Sequence, residues 1–162
     1  MKPFFKPSIL KTVLVTSAIA LGACSKATPE TLIVGDWKQG APITIEEAGT
    51  TVSMTDTNIT YAADGTSKGD VQMTLSGVPA DFASYMISTT GTWKIEDGML
   101  IEGISDIDVK PGSNAAQAIA IAAQMETAMA AEVESRSEIK TLTKDSLVVY
   151  QAETDLTMNF TR

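Results

Sequence analysis

The sequence predicts an all-β fold, an antiparallel up-and-down β-barrel of about 8–9 strands carrying one inserted α-helix at about residues 114–135. Three observations predict it. Short runs rich in Val, Ile, Thr and aromatic residues alternate with turn dipeptides along most of the chain, the spacing of antiparallel strands rather than of strand–helix–strand units. Several of these runs alternate apolar and polar residues with period two, so one face is dry and the other wet. One stretch alone, beyond Pro111-Gly112, turns abruptly to Ala, Gln, Met and Glu. Closing such a sheet into a barrel hides its edge strands.

In chain order, Lys2, Lys6 and Lys11 form a basic leader, and Thr12 to Leu21 follow as an uncharged, mostly apolar run of ten residues. That is the length of a signal-peptide core and too short to span a bilayer. The run ends in Leu21-Gly22-Ala23-Cys24, which resembles the lipobox of bacterial lipoproteins, and Cys24 is the single cysteine of the chain. The resemblance implies that residues 1–23 are a lipoprotein signal peptide and that Cys24 is acylated and becomes the mature N-terminus. It also implies that Ser25, in place of Asp, permits sorting to the outer membrane in a diderm host; in a monoderm host the anchor is the outer face of the plasma membrane. Cleavage leaves 139 of 162 residues and removes three lysines and no acid, so the formal charge moves from −8 to −11. Each buried acyl methylene contributes about 0.8 kcal/mol, so such an anchor needs no basic patch. Residues 24–31 read as a lipidated polar tether and residues 32–162 as the folded domain.

Strands are expected at about 32–38, 50–54, 57–62, 67–75, 84–96, 99–109, 136–142, 146–151 and 155–161. Asp64-Gly65 and Asp97-Gly98 carry the pair favoured in two-residue type I′ hairpins, where both central residues need positive φ. Alternation turns Tyr85, Ile87, Thr89, Gly91, Trp93 and Ile95 inward. By the same rule Ile101, Gly103, Ser105, Ile107 and Val109 face in, while Glu102, Asp106 and Asp108 face water. In the last strand Leu156, Met158 and Phe160 face in.

The Ala-, Gln- and Met-rich stretch lacks Gly, Pro and aromatic residues and is built of strong helix formers. Asn114 is the expected N-cap, with Gln117 three residues on. Ala118, Ile121, Ala122, Met125, Met129 and Val133 recur at spacings of three and four and form one apolar stripe. That stripe packs the helix on the sheet or makes it a lid; a membrane-surface role is disfavoured because the polar face offers Glu126, Glu132 and Glu134 and no cation.

Composition removes whole classes of chemistry. The chain has no histidine and one cysteine, so zinc sites built on these residues, histidine bases and disulfide frameworks are excluded. The acidic balance argues against a nucleic-acid partner. Ser76-Gly77 lacks the flanking glycine of a nucleophile elbow, and there is neither a P-loop nor a dinucleotide fingerprint. Asp106, Asp108 and Glu102 lack the spacing and glycine of a calcium loop and read as a solvated face. No catalytic residue, metal or cofactor is predicted.

Gly35-Asp36-Trp37 at the start of the domain resembles the G-x-W signature of the lipocalin and calycin superfamily. Together with the Asp-Gly hairpins, the Gly91-Thr92-Trp93-Lys94 strand and the short terminal meander, it makes residues 32–162 similar to small lipocalin-like bacterial lipoproteins. The resemblance implies that Gly35 and Trp37 close the barrel floor and that a basic residue after the last strand, here Arg162, covers the indole, a contact worth about 0.5–2 kcal/mol. It also implies a small apolar ligand or lipid, for which Met73, Tyr85, Ile87, Trp93, Ile101 and Met158 would line the cavity. Those residues suit a filled core equally well. A non-enzymatic envelope protein whose acidic surface meets a basic protein partner is therefore the alternative. An enzyme relying on carboxylates alone is the third and weakest reading.

Overall fold

The structure is a computed structural model that describes residues 27–47, 49–131 and 134–162. The signal peptide, Cys24 and the first residues of the tether lie outside these, as do Glu132 and Val133. The described chain opens with a five-residue helix, α1 (Pro29–Ile33), where the polar tether was expected to continue. Proline at its first position loses no hydrogen bond there, and Ile33 at its end is fully buried.

Nine strands follow: β1 (Gly35–Gln39), β2 (Ile43–Glu47), β3 (Thr50–Tyr61), β4 (Thr66–Ser76), β5 (Ser84–Glu96), β6 (Met99–Pro111), β7 (Glu134–Leu142), β8 (Ser146–Gln151) and β9 (Leu156–Thr161). All pairings are antiparallel and, β2 aside, join neighbours in sequence; β1 then pairs with both β9 and β3, closing an eight-stranded barrel. The ninth strand, β2, was not foreseen. It runs on from β1 along the same partner, β3, after a break at Gly40-Ala41-Pro42, where proline cannot donate to a ladder. Conversely, the two runs expected at 50–54 and 57–62 are one strand, bent by a register shift between Thr55 and Asn58 with Asp56 at φ 50°.

The two Asp-Gly hairpins differ. Asp97 and Gly98 both have positive φ, 51° and 79°, as a type I′ turn demands. At Asp64-Gly65 only Gly65 is positive. There Gly65 N–H donates to the Ala62 carbonyl at 3.1 Å and Ala62 N–H to the Thr66 carbonyl at 2.9 Å, a three-residue loop with a bulge instead of the expected two-residue turn. The Asp64 carboxylate selects this form by accepting from both the backbone N–H and the hydroxyl of Thr66, which also holds its pKa below the usual range.

Helix α2 (Ala116–Ala130) is shorter than expected at both ends. Ala115, not Asn114, stands at the N-cap, and the Ser113 hydroxyl accepts from Ala115 N–H at 3.3 Å while donating to the Asp81 carbonyl at 2.6 Å. At the other end, Glu134 and Ser135 leave the helical pattern because they pair with Gly103 and Glu102 of β6. Ala118 and Ala122 are buried, and Ile121, Met125 and Met129 pack against the sheet.

Two apolar clusters fill the inside. The floor cluster gathers Ile33, Trp37, Tyr61, Trp93, Leu100, Leu147, Val149 and Phe160. The upper cluster gathers Met73, Tyr85, Ile87, Ile107, Val109 and Ala122 beneath α2. Strand β7 pairs with β6 only along Met99–Gly103. Above that level the outer edge of β6 pairs with no strand among the described residues, and α2 packs there instead.

Candidate functional site

The floor is a single interlocked unit. Trp37 is fully buried and its indole N–H donates to the Ile33 carbonyl at 2.6 Å. The Arg162 guanidinium lies 4.5 Å from the indole centre and donates to the carbonyls of Leu32 and Val34, each at 2.6 Å. It thereby serves the carbonyls that the end of α1 leaves without partners. Gly35 is required by its φ of 133°, and a Cβ there would also press on the guanidinium at 3.3 Å. Trp93 packs edge-on against Tyr61, with ring centres 5.7 Å apart, and donates to the Ala62 carbonyl. These side chains leave the closed end of the barrel filled.

The six residues expected to line one cavity do not meet. Met73, Tyr85 and Ile87 belong to the upper cluster; Trp93 and Met158 belong to the floor. Ile101 belongs to neither cluster. The register shift between β5 and β6 explains this: Thr90 pairs with Asp106 but Gly91 with Ile104, so Ser105 is an extra residue and alternation reverses across it. Below the bulge the inward positions of β6 are therefore Leu100, Glu102 and Ile104, opposite Ile95, Trp93 and Gly91. Ile101, expected to line the cavity, lies instead on the opposite face of β6 between Lys94 and Arg136 of the neighbouring strands, and it is buried there, only 4% exposed. Glu102, expected in water, faces in. Period-two reading cannot see a bulge, because it assumes that every residue takes the next place on the pleat. Gly91 was the one available signal, because the bulge brings the Gly103 carbonyl to 2.0 Å from where a Cβ on residue 91 would sit.

Inside the barrel Glu102 is held by Tyr61, whose hydroxyl donates to Oε1 at 2.8 Å. Burial pushes the Glu102 pKa up against the lowering effect of this bond. Burial, then the neighbouring carboxylate, push the tyrosine pKa well above its ordinary value. Glu102 lines a hollow of about 140 Å³ with Ser67, Thr89, Gly91, Ile104 and Ser135. The hollow sits at the waist between the two apolar clusters, where inward positions are small or hydroxylated.

A larger cleft of about 700 Å³ lies beside it, between the last two turns of α2 and the bulged part of β6. Ile104, Asp106, Ile107, Ala123, Glu126 and Thr127 line it. Ile104 is common to cleft and hollow, and Ile107 belongs both to the cleft wall and to the upper cluster. Within that cluster the Tyr85 hydroxyl is buried without a hydrogen-bond partner among the described residues. The cleft escaped the sequence reading because it lies where β7 fails to continue along β6, a property of pairing and not of pattern.

The architecture, a closed eight-stranded antiparallel barrel, is compatible with a lipocalin-like fold. No family model matches the chain, and no curated protein matches it either.

Proposed function

We propose that this protein is an exported bacterial lipoprotein, anchored through an acylated Cys24, whose lipocalin-like barrel binds a small apolar or amphipathic molecule beneath α2. The observation that carries the ligand-binding reading is the cleft of about 700 Å³ between α2 and β6. Its size falls within the range of small-molecule sites, and through Ile107 it adjoins an apolar cluster rich in adaptable methionines. The binding site is thus assigned to the helix-covered side of the barrel, away from the filled floor. The anchor rests on the lipobox resemblance at residues 21–24.

Native mass spectrometry with solvent extraction, on the mature chain purified from its own host, tests the ligand. A stoichiometric copurifying small molecule is expected, and Ala123→Trp, which fills the cleft from an exposed helix position, should abolish it without lowering the melting temperature. A clean mass from repeated gentle preparations rejects the ligand. The filled floor cluster would then favour the second reading, an envelope protein whose acidic surface engages a basic protein partner. Cys24→Ala tests the anchor separately: the protein should leave the membrane fraction, and retention there refutes acylation.

A further inference from the structure

A carboxyl group inside a small barrel is costly unless something uses it. Glu102 is half-buried, and partial desolvation of an ionised carboxylate favours either a cation beside it or its neutralisation. Glu102 has neither a lysine nor an arginine beside it among the residues lining its hollow, and its one side-chain partner is the Tyr61 hydroxyl on Oε1. Its Oε2 is not among the buried polar atoms that lack a partner and is therefore open to the hollow and to water.

The surroundings say what would suit it. The hollow of about 140 Å³ has room for a few water molecules or one small head group. Hydroxyl-bearing Ser67, Thr89 and Ser135 stand around it, each able to accept a hydrogen bond. Immediately outside, past Ile104, the cleft is lined by Asp106 and Glu126. Every ionisable residue lining either space is therefore an acid among the described residues. Carboxylates at the mouth raise the local concentration of a cation, and one at the end of the path can receive it. A carboxylate ligand would meet repulsion at both points, and a neutral one would leave Glu102 as it is.

We propose that the ligand is a protonated amine, its ammonium head held by Glu102 in the waist hollow and its apolar body lying in the cleft between α2 and β6. The proposal rests on the ligand-binding reading above and adds its chemical class. The ammonium group donates to the free oxygen of Glu102 and to the surrounding hydroxyls, while Tyr61 keeps the carboxylate aimed from the opposite side. Ile104 is the residue the head must pass.

Calorimetric titration of the full chain at pH 7 with hexylamine, 1-hexanol and hexanoate tests it, the three probes sharing one chain length. Hexylamine should bind at least tenfold more tightly than hexanol, and hexanoate more weakly than either. Glu102→Gln should bring hexylamine down to the affinity of hexanol and leave hexanol unchanged. Ser67→Val, which fills the hollow from β4 and leaves the carboxyl in place, should give the same loss, so the test survives if one variant fails to fold. Equal affinity for amine and alcohol, or indifference of the amine to both substitutions, overturns the amine assignment while the cleft stands. Failure of every probe to bind overturns both.

Discussion

The two ends of this barrel are made from the same long strands and closed by different means. At the floor β1 bridges β9 and β3, and aromatic side chains fill the interior. At the upper end β7 no longer accompanies β6, and a helix of alanine and methionine covers the gap. Polar groups follow the same division. The indole N–H groups of Trp37 and Trp93 and the Tyr61 hydroxyl are all hydrogen-bonded, whereas the Tyr85 hydroxyl above them has no partner among the described residues. A strand-closed end with satisfied polar groups is rigid, and a helix-closed end held mainly by side-chain packing, with the Ser113 hydroxyl bonded to the Asp81 carbonyl where α2 begins, is the part that can open at lower cost. That contrast makes the upper end the more adaptable of the two.

The largest expected effect tests the floor. Trp37→Ala removes a fully buried side chain and the surface on which Arg162 rests, and should cost about 3–5 kcal/mol in urea unfolding. Met129→Ala, on the half-buried underside of α2, should cost about 1 kcal/mol or less, since the flexible helix-covered end can settle around the loss. Equal costs would break the division between a rigid and an adaptable end.

Next comes the boundary between them. Gly91→Ala places a methyl where the Gly103 carbonyl stands at 2.0 Å, so the two strands must separate at the bulge. A loss of about 1–3 kcal/mol is expected. Hydrogen exchange sharpens the result: amides of β6 above Ser105 should lose protection, while those of β8 and β9 keep theirs. Uniform loss would mean that the waist does not divide the molecule.

How much of this was legible in the sequence depends on the bulge. Strand alternation identified the inward face of β5 throughout, because β5 runs straight from Tyr85 to Ile95. The same rule applied to β6 held for Ile107 and Val109, put Ile101, buried though it is, on the wrong face, and failed for Glu102, because an inserted residue inverts the faces and its only mark is the glycine opposite it, Gly91. The contact of Arg162 with Trp37 was expected only through the resemblance of Gly35-Asp36-Trp37 to the G-x-W signature. The missed strand β2 lay behind a proline break, and its Ile-Thr-Ile core was too short to stand out. The candidate site was the least legible part. Its cleft depends on where β7 stops, and its carboxyl had been placed in water with Asp106 and Asp108.

The smallest effects give the sharpest comparison, because one chemical change is expected to have opposite signs at the two ends. Tyr61→Phe deletes a hydroxyl that holds Glu102. A half-buried carboxyl that loses its hydroxyl donor is left with water as its partner, so stability should fall, by about 1 kcal/mol. Tyr85→Phe deletes a hydroxyl that is buried and makes no bond among the described residues. Folding then no longer strips water from a group it fails to satisfy, and stability should rise, by about 1 kcal/mol. Both variants keep the ring and its packing, so the difference reports on the hydroxyls. Urea unfolding of the ligand-free protein measures it. A loss at Tyr85 equal to that at Tyr61 would mean that the upper hydroxyl is satisfied in solution, and that the upper end is as completely built as the floor.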